Sequence, residues 1–329
     1  MEVVQSVKTP PALAGLWPPV ATPFTAEGSV DHRRLVDHGR TLLAEGAHGL
    51  AILGTTSEAN SLTIDERRRA IDASIEAGIP AARLMPGTGA CAIDDAALLT
   101  RHAGKAGAAA ALLLPPFYYK QVSDDGLFAF VAAVIERAGA EVPPIVLYHI
   151  PRMAGVGWSE ALIGRLVAAF PGIVVGMKDS SGDFDNTRRM IAAFPGFAVF
   201  PGAEVHLVEA MAQGAAGCIS ASANINARRI REVLDRWREP GAGGLQTALN
   251  AVRKAVESVA LIPAVKAVLA ARYRDDAWLN VRPPLVPLGP AARRALLSDP
   301  AVASLLTPVS DEPHRNADKA GNLVAEARS

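Results

Sequence analysis

A single lysine ends an apolar run in the segment 173-IVVGMKDSSGD-183. Charged residues commonly lie where strands reach water, so Lys178 could simply meet solvent or pair with the adjacent Asp179. The alternative is chemical, because apolar neighbours disfavour the charged form of a lysine amine. A neutral amine attacks a ketone, loses water and leaves a protonated imine, which draws electrons from the adjacent carbon. On this residue alone, both interpretations stay open.

Tyr148, in 147-LYHIPRMAG-155, offers a phenol one apolar run earlier. It is either a core aromatic whose hydroxyl bonds a carbonyl or a group that moves protons. Imine chemistry needs such a shuttle, both for the carbinolamine and for a nascent alkoxide. The apolar runs that end at Tyr148 and Lys178 follow each other along the chain, so in a barrel they are neighbours and project the two side chains together.

Two loops extend this candidate site. The small polar segment 53-LGTTSEANSLT-63 is either an ordinary turn between a strand and a helix or a cradle for a carboxylate. In the second case, the hydroxyls of Thr55 and Thr56 and free N–H groups would face the anion. The segment 115-PPFYYKQ-121 carries two consecutive tyrosines, and aromatic residues of this kind also pack in contacts between subunits.

Short apolar runs and amphipathic helical patterns alternate eight times along the chain. The candidate strands are 16–22, 48–54, 82–88, 109–114, 144–150, 173–178, 197–202 and 216–220. Most are continuously apolar, as is typical of parallel strands buried on both faces. Helix N-caps are predicted at Asp31, Ser123, Ser159 and Asp183, and a capping box at Thr63–Glu66.

This regular spacing favours an α/β fold, a closed (β/α)8 TIM barrel with additional C-terminal helices, over an open doubly wound sheet. We divide the chain into an N-terminal extension (1–14), the barrel (15–240), a C-terminal helical appendage (241–308) and a flexible tail (309–329). In such barrels, chemistry is located at the carboxyl ends of the strands. The polar residues at those ends are Thr55, Thr56, Tyr118, Tyr119, Tyr148, Lys178 and Glu204.

Composition excludes several classes of partner. The 329 residues contain 33 Lys+Arg and 33 Asp+Glu, a balance that gives no reason to expect nucleic acid or an anionic membrane. The start of the chain lacks the pattern of a signal peptide, and no apolar run is long enough to span a bilayer. The two cysteines form no CxxC pair. We therefore expect a reduced, cytoplasmic protein.

Cofactor motifs are also missing or incomplete. The seven histidines are scattered without paired spacing, and no GxSxG elbow occurs. The segment 87-GTGACA-92 matches a dinucleotide-binding fingerprint, but the next apolar run ends without an acidic residue for a ribose. Asp94 and Asp95 would moreover repel a phosphate at the following helix start. The sequence thus predicts no cofactor, and catalysis by a lysine amine is the remaining candidate chemistry.

With these residues assembled, the chain resembles the dihydrodipicolinate synthase/N-acetylneuraminate lyase family of class I aldolases. The resemblance runs from about Leu16 to Leu288. Its motifs are 54-GTTSEA-59, 116-PFYYKQVSDDGL-127, 148-YHIPRMAG-155, 176-GMKDSSGD-183, 217-GCISASAN-224, 262-IPAVKAVL-269 and 282-RPPLVPL-288.

The resemblance implies a role for each matching residue. Lys178 matches the Schiff-base lysine and Tyr148 the proton-shuttling tyrosine. Thr55 and Thr56 match the pair that binds the carboxylate of the keto acid and links to the hydroxyl relay. Tyr119 matches a tyrosine that the synthases donate across a tight-dimer interface. The positions that line the second-substrate pocket are Gly202, Glu204 and Ile219. A cofactor-free homotetramer, built as a dimer of dimers, is likewise implied.

The departures from the family pattern concern the second substrate. Synthases usually carry an arginine two residues after the proline of this motif, where the chain has Met153, and Arg152 stands one residue early. A charge-assisted contact of this kind contributes roughly 1.5–3 kcal/mol. His149 replaces a common asparagine and Ser57 a usual glycine. Arg67 occupies a position where feedback-sensitive synthases often have histidine, as does Ile64, so we expect no inhibition by lysine.

Several functions stay open within this resemblance. The expected reaction joins or splits pyruvate, or another 2-keto acid, and an aldehyde through an imine on Lys178. The alternatives are 4-hydroxy-tetrahydrodipicolinate synthase proper, with aspartate semialdehyde, and a keto-deoxy sugar acid aldolase or dehydratase. Glu204 is the candidate for a hydroxylated partner and Arg152 for an anionic one. An alternative from a different functional class is a sensor that binds the keto acid without catalysing a reaction.

Overall fold

The computed structural model describes residues 13–306. The predicted tail (309–329) and all but the last two residues of the predicted N-terminal extension lie outside the described residues. The boundary proposed between barrel and appendage, after residue 240, stays a prediction.

Six strands are present within residues 13–306, all in parallel pairs. They are β1 (Gly15–Leu16), β2 (Ala111–Leu113), β3 (Ile145–His149), β4 (Val174–Asp179), β5 (Ala198–Pro201) and β6 (Gly217–Cys218). The order β2-β3-β4-β5 forms one sheet, and β1 pairs with β6. β5 joins β6 through Ile219 N–H, which donates to the Pro201 carbonyl at 3.1 Å.

Two extended segments close the ring between β1 and β2. Ala51 N–H donates to the Pro18 carbonyl at 2.9 Å, and bridges pair Leu50 with Leu84 and Gly87 with Leu112. Eight chain segments therefore surround one axis in sequence order, and the predicted (β/α)8 barrel is confirmed.

The first three strands are shorter than predicted. Of residues 16–22, only Leu16 belongs to a strand, the two-residue β1, and the segments 48–54 and 82–88 contribute only isolated bridges. Proline explains part of this difference, because Pro18 and Pro86 have no N–H to donate to a ladder. The last five predicted runs match β2 to β6 more closely.

Thirteen α-helices accompany the strands in the part of the chain that the structure describes. They are α1 (His32–Ala44), α2 (Ile64–Glu76), α3 (Ile93–Lys105), α4 (Asp124–Ala138), α5 (Pro151–Ala154), α6 (Glu160–Ala169), α7 (Phe184–Ala193), α8 (Leu207–Gln213), α9 (Ala223–Arg236), α10 (Ala242–Glu257), α11 (Leu261–Tyr273), α12 (Pro290–Ser298) and α13 (Pro300–Leu306). Short 3₁₀ helices lie at Ala59–Ser61, Ala81–Arg83, Gly139–Glu141, Glu204–His206 and Asp276–Leu279. All four predicted N-caps and the capping box are confirmed.

None of the helices within 13–306 is long and apolar enough to cross a membrane.

Two of the apolar cores set the position of the site. The barrel interior is filled by side chains from successive strands, among them Met85, Leu112, Phe200 and Ile219, and Tyr148 belongs to this cluster. A second core packs α10 and α11 against the barrel through Ile225 of α9. Each buried aliphatic or aromatic side chain contributes roughly 1.5–3 kcal/mol, so both cores hold their strand and helix ends firmly.

Candidate active site

Lys178 lies inside the barrel, with only 3% of its surface exposed. On β4 it pairs in register with Tyr148 of β3 and Phe200 of β5, so the three side chains share one face of the sheet. Its Nζ lies 4.2 Å from the centroid of the Tyr148 ring. Within residues 13–306, this amine forms no ion pair and no hydrogen bond to another side chain. The lysine is therefore enclosed but not neutralised by a carboxylate.

The neighbouring carboxylate is engaged elsewhere. Asp179 accepts hydrogen bonds from Ser181 N–H at 2.9 Å, from Asn186 Nδ2 at 2.9 Å and from Thr187 Oγ1 at 2.8 Å. These bonds fold the turn that leads into α7. The strand-end interpretation of Lys178 is thus contradicted, since the amine neither reaches solvent nor pairs with Asp179.

Two of the candidate hydroxyl groups lie close together. Tyr148 Oη and Thr55 Oγ1 lie 3.0 Å apart. Trp158, which the sequence did not single out, fixes this tyrosine, because its Nε1 donates to the Tyr148 carbonyl at 3.1 Å. Its backbone N–H donates to His149 Nδ1 at 3.0 Å. Burial lowers the pKa of His149, although the Asp179 carboxylate opposes this shift, so the neutral ring keeps Nδ1 as an acceptor.

The turn that carries Thr55 and Thr56 has left-handed residues on both sides. Leu53 (φ 62°) precedes it and Glu58 (φ 56°) follows it. A non-glycine residue in this region costs roughly 1–3 kcal/mol, and the surrounding structure must therefore impose it. Ser57 supplies one constraint, because its Oγ accepts from Gly54 N–H at 3.2 Å and donates to a carbonyl of the barrel wall. Thr56 is buried in this turn.

A buried arginine lines the same space as these two hydroxyl groups. A small cavity of about 20 Å³ is lined by Thr55, Tyr148 and Arg67, together with other residues of the two loops. Arg67 donates to the carbonyls of Gly87 and Gly89 and so holds the loop of the rejected dinucleotide motif. Burial lowers the pKa of Arg67 to about 10, which still leaves it charged at neutral pH. The sequence marked this residue only as a replacement for histidine.

Tyr119 stands apart from this pair. It is 74% exposed and packs edge-on against Tyr118, with ring centroids 5.2 Å apart. Its hydroxyl makes no hydrogen bond to Thr55 or Tyr148 within the described chain. Lys120 anchors the loop by donating to the carbonyl of Ala154 at 2.8 Å.

The other predicted substrate contacts occupy different surroundings. Gly202 N–H donates to the Asp179 carbonyl at 2.6 Å, and a Cβ at this glycine would lie 2.0 Å from Ser180 Oγ, so only glycine fits. Ile219 is fully buried in the barrel interior. Arg152 is exposed on α5, and its Nη1 reaches the loop after Lys178 close to Gly182. The substrate roles of these three residues stay predictions.

Glu204 is enclosed. The hydroxyls of Ser220 and Ser222 donate to its two carboxylate oxygens, and Arg253 Nη1 lies 3.8 Å from Oε2. Gln246 of α10 donates to its backbone carbonyl at 2.7 Å. Its carboxylate is thus engaged in a polar cluster between barrel and α10, and a contact with substrate hydroxyls stays a prediction.

Metal ligands are not clustered in the part of the chain that the structure describes. No group of three or more His, Cys, Asp or Glu side chains within 13–306 could hold a metal ion.

Comparison with known proteins identifies the family. The family model described as "Dihydrodipicolinate synthetase family" matches residues 12–299. The chain belongs to this family. An "uncharacterized DapA-like lyase" of Chloroflexus aurantiacus is 35% identical over 276 residues, which cover 83% of this chain and 91% of that protein.

Two solved structures are similar over almost their whole length. The crystal structure of dihydrodipicolinate synthase from Agrobacterium tumefaciens C58 has a TM-score of 0.83 at 34% identity and covers 89% of this chain and 99% of its own. YagE, a prophage protein of the dihydrodipicolinic acid synthase family from E. coli K12, was solved in complex with pyruvate. It has a TM-score of 0.79 at 26% identity, covering 90% of this chain and 99% of that one.

The enclosed position of Glu204 generates a stability prediction. Glu204→Ala leaves Arg253 and two serine hydroxyls without their buried partner and should lower the free energy of unfolding by about 3–5 kcal/mol in urea titrations. Glu209→Ala, at a half-exposed glutamate of the next helix, is the matched control and should stay within about 0.5 kcal/mol of wild type. Equal stability of the two variants would contradict the packing described for Glu204.

Proposed function

We propose that this family member is a lyase that forms an imine between Lys178 and C2 of pyruvate or another 2-keto acid. It then makes or breaks a bond to an aldehyde partner. The observation that carries this proposal is the buried amine, 4.2 Å from the Tyr148 ring and without a carboxylate partner in the described chain. The family's lyase and synthase chemistry agrees with it.

The reaction follows from the groups present. Lys178 Nζ adds to C2 of the keto acid, and the carbonyl oxygen takes two protons, one of them from the amine, and leaves as water, which forms a protonated imine. Loss of a proton from C3 gives an enamine, whose C3 attacks the aldehyde carbon. The aldehyde oxygen then takes a proton as the bond forms, and hydrolysis of the imine returns the amine. Cleavage runs these steps in reverse.

The hydroxyl pair is proposed to move these protons. Tyr148 and Thr55, whose hydroxyl oxygens lie 3.0 Å apart, would form this relay, and the amine lies 4.2 Å from the centroid of the Tyr148 ring. Positioned acid–base groups of this kind contribute about 10²–10⁴-fold in rate. Thr56 and the N–H groups of its turn are proposed to bind the carboxylate, and the fixed charge of Arg67 favours an anion nearby.

The aldehyde partner is the less determined substrate. The Agrobacterium enzyme is named a dihydrodipicolinate synthase, and YagE was solved with pyruvate, which supports pyruvate as the keto acid here. Met153 is exposed where a synthase arginine is expected, and Arg152 lies against the loop after Lys178 instead. Aspartate semialdehyde is therefore one candidate, and sugar-derived aldehydes or a dehydration of a keto-deoxy acid are the others.

We also propose a cytoplasmic homotetramer that needs no cofactor. Both cysteines are free thiols, which fits a reducing compartment. Tyr118 and Tyr119 form an exposed aromatic pair, and such pairs are typical of subunit contacts. Tyr119 would then complete the relay in the neighbouring subunit.

Reduction with borohydride in the presence of pyruvate tests the imine. We expect intact mass and peptide mapping to show one reduced pyruvyl adduct, on Lys178. Lys178→Ala should give none, and Lys105→Ala, at an exposed lysine on α3, should react like wild type. Pyruvate binding without an adduct in folded protein would contradict the lyase proposal and favour a keto-acid sensor.

Co-expressed chains carrying Lys178→Ala and Tyr119→Phe test the donated tyrosine. If Tyr119 acts across a dimer interface, each mixed dimer contains one complete site, and random pairing restores roughly a quarter of wild-type activity. Each variant alone should be nearly inactive, whereas Tyr118→Phe should retain activity. Mixed chains no more active than the single variants would show that Tyr119 does not act in the neighbouring subunit.

A further inference from the structure

A second buried lysine lies behind the carboxylate turn. Lys266 of α11 and Glu58 form an ion pair in which neither side chain is exposed. Lys266 Nζ also donates to the Asn280 carbonyl at 2.7 Å and lies 4.4 Å from the centroid of the Phe24 ring. Burial lowers the pKa of Lys266 to about 8, and Glu58 opposes this shift, so the amine stays charged at neutral pH.

The other carboxylate oxygen of Glu58 is held by the chain beyond α11. Arg282 N–H donates to Glu58 Oε2 at 2.9 Å. The Arg282 guanidinium binds the carbonyls of Gly28 and Ser61 and the carboxylate of Glu66, which lowers the pKa of Glu66 to about 2. Two segments that follow the barrel therefore fix Glu58 from one side.

Glu58 in turn is bonded to the residue that carries the relay hydroxyl. Its backbone is left-handed (φ 56°, ψ 32°), and its N–H donates to the Thr55 carbonyl at 3.0 Å. The next residue, Ala59, donates to the Gly54 carbonyl at 3.2 Å. A change in the conformation of Glu58 would therefore displace Thr55 directly.

Stability alone is a weak reason for such a pair. A buried ion pair contributes little more than well-packed apolar side chains of the same volume, because both charges lose their hydration. The pair also fixes the orientation of the Glu58 side chain, because Lys266 Nζ and Arg282 N–H each donate to one of its carboxylate oxygens. That constraint acts on a left-handed residue three positions from Thr55, where strain must be imposed by the surroundings.

We propose that Lys266 is a positioning residue for the keto-acid site. From α11 it holds Glu58 in the left-handed conformation and so keeps Thr55 Oγ1 on Tyr148 Oη and Thr56 in the carboxylate turn. The C-terminal helices are then part of the working site, although they contribute no group that touches substrate. This inference rests on the proposed function for its kinetic consequence but not for its structural one.

The test replaces the pair by apolar residues of similar volume, in the full-length double variant Glu58→Leu/Lys266→Met. We expect unfolding in urea close to that of wild type, but kcat/KM for pyruvate lower by about 100-fold, as a displacement of about 1 Å can cause. A crystal structure of the variant should show Thr55 Oγ1 beyond hydrogen-bond distance of Tyr148 Oη. Lys254→Met, at an exposed lysine of α10, is the matched control and should behave like wild type.

The outcomes separate the two proposals. A double variant that is folded and keeps both the 3.0 Å contact and wild-type kinetics would overturn the positioning role. Wild-type protein that forms no pyruvyl adduct would overturn the proposed function, while the Thr55–Tyr148 distance would still decide the positioning role.

If the double variant does not fold, Glu58→Gln has the same shape and places an NH2 group against one of the two donors. We expect the same displacement with a smaller loss, roughly tenfold, and unchanged kinetics and geometry would again contradict the proposal.

Discussion

A lysine amine enclosed without a counter-ion is the constraint on which this structure depends. Removing an ammonium group from water is costly unless a carboxylate or hydrogen bonds replace the hydration. At Lys178, the carboxylate of the next residue is engaged elsewhere, because Asp179 is bound by Ser181, Asn186 and Thr187. The amine is left with the face of the Tyr148 ring. Within the described residues, the nitrogen is thus enclosed by the barrel and held by neither a carboxylate nor a side-chain hydrogen bond.

Around this amine, separate parts of the chain each contribute one function. The barrel order brings Tyr148 and Lys178 into register, and Trp158 fixes the tyrosine from the loop that follows β3. The turn that carries Thr55 adds the second hydroxyl, and it is flanked by left-handed residues whose strain the surrounding structure must impose. We infer that the C-terminal helices supply the missing constraint. Several separate elements thus hold the few groups that would react.

Much of this arrangement could be predicted from the sequence, because it depends on local patterns. The apolar runs predicted the barrel, and the cap residues predicted where helices begin. The order of the strands predicted that Tyr148 and Lys178 lie close together. The early strands were overpredicted, since apolar composition conceals the missing N–H groups of Pro18 and Pro86. The surroundings of Glu204 and Glu58 could not be predicted, because Arg253 and Lys266 are far away in the sequence and only folding brings them close.

The central claim is that one buried amine and one hydroxylated turn bind the same keto acid. The most direct test is a crystal structure of the enzyme soaked with pyruvate. The account predicts continuous density from Lys178 Nζ to C2 of the ligand, its carboxylate on the turn of Thr55 and Thr56, and Tyr148 Oη beside the new bond. Pyruvate bound without a link to Lys178, or with its carboxylate directed away from that turn, would contradict the account.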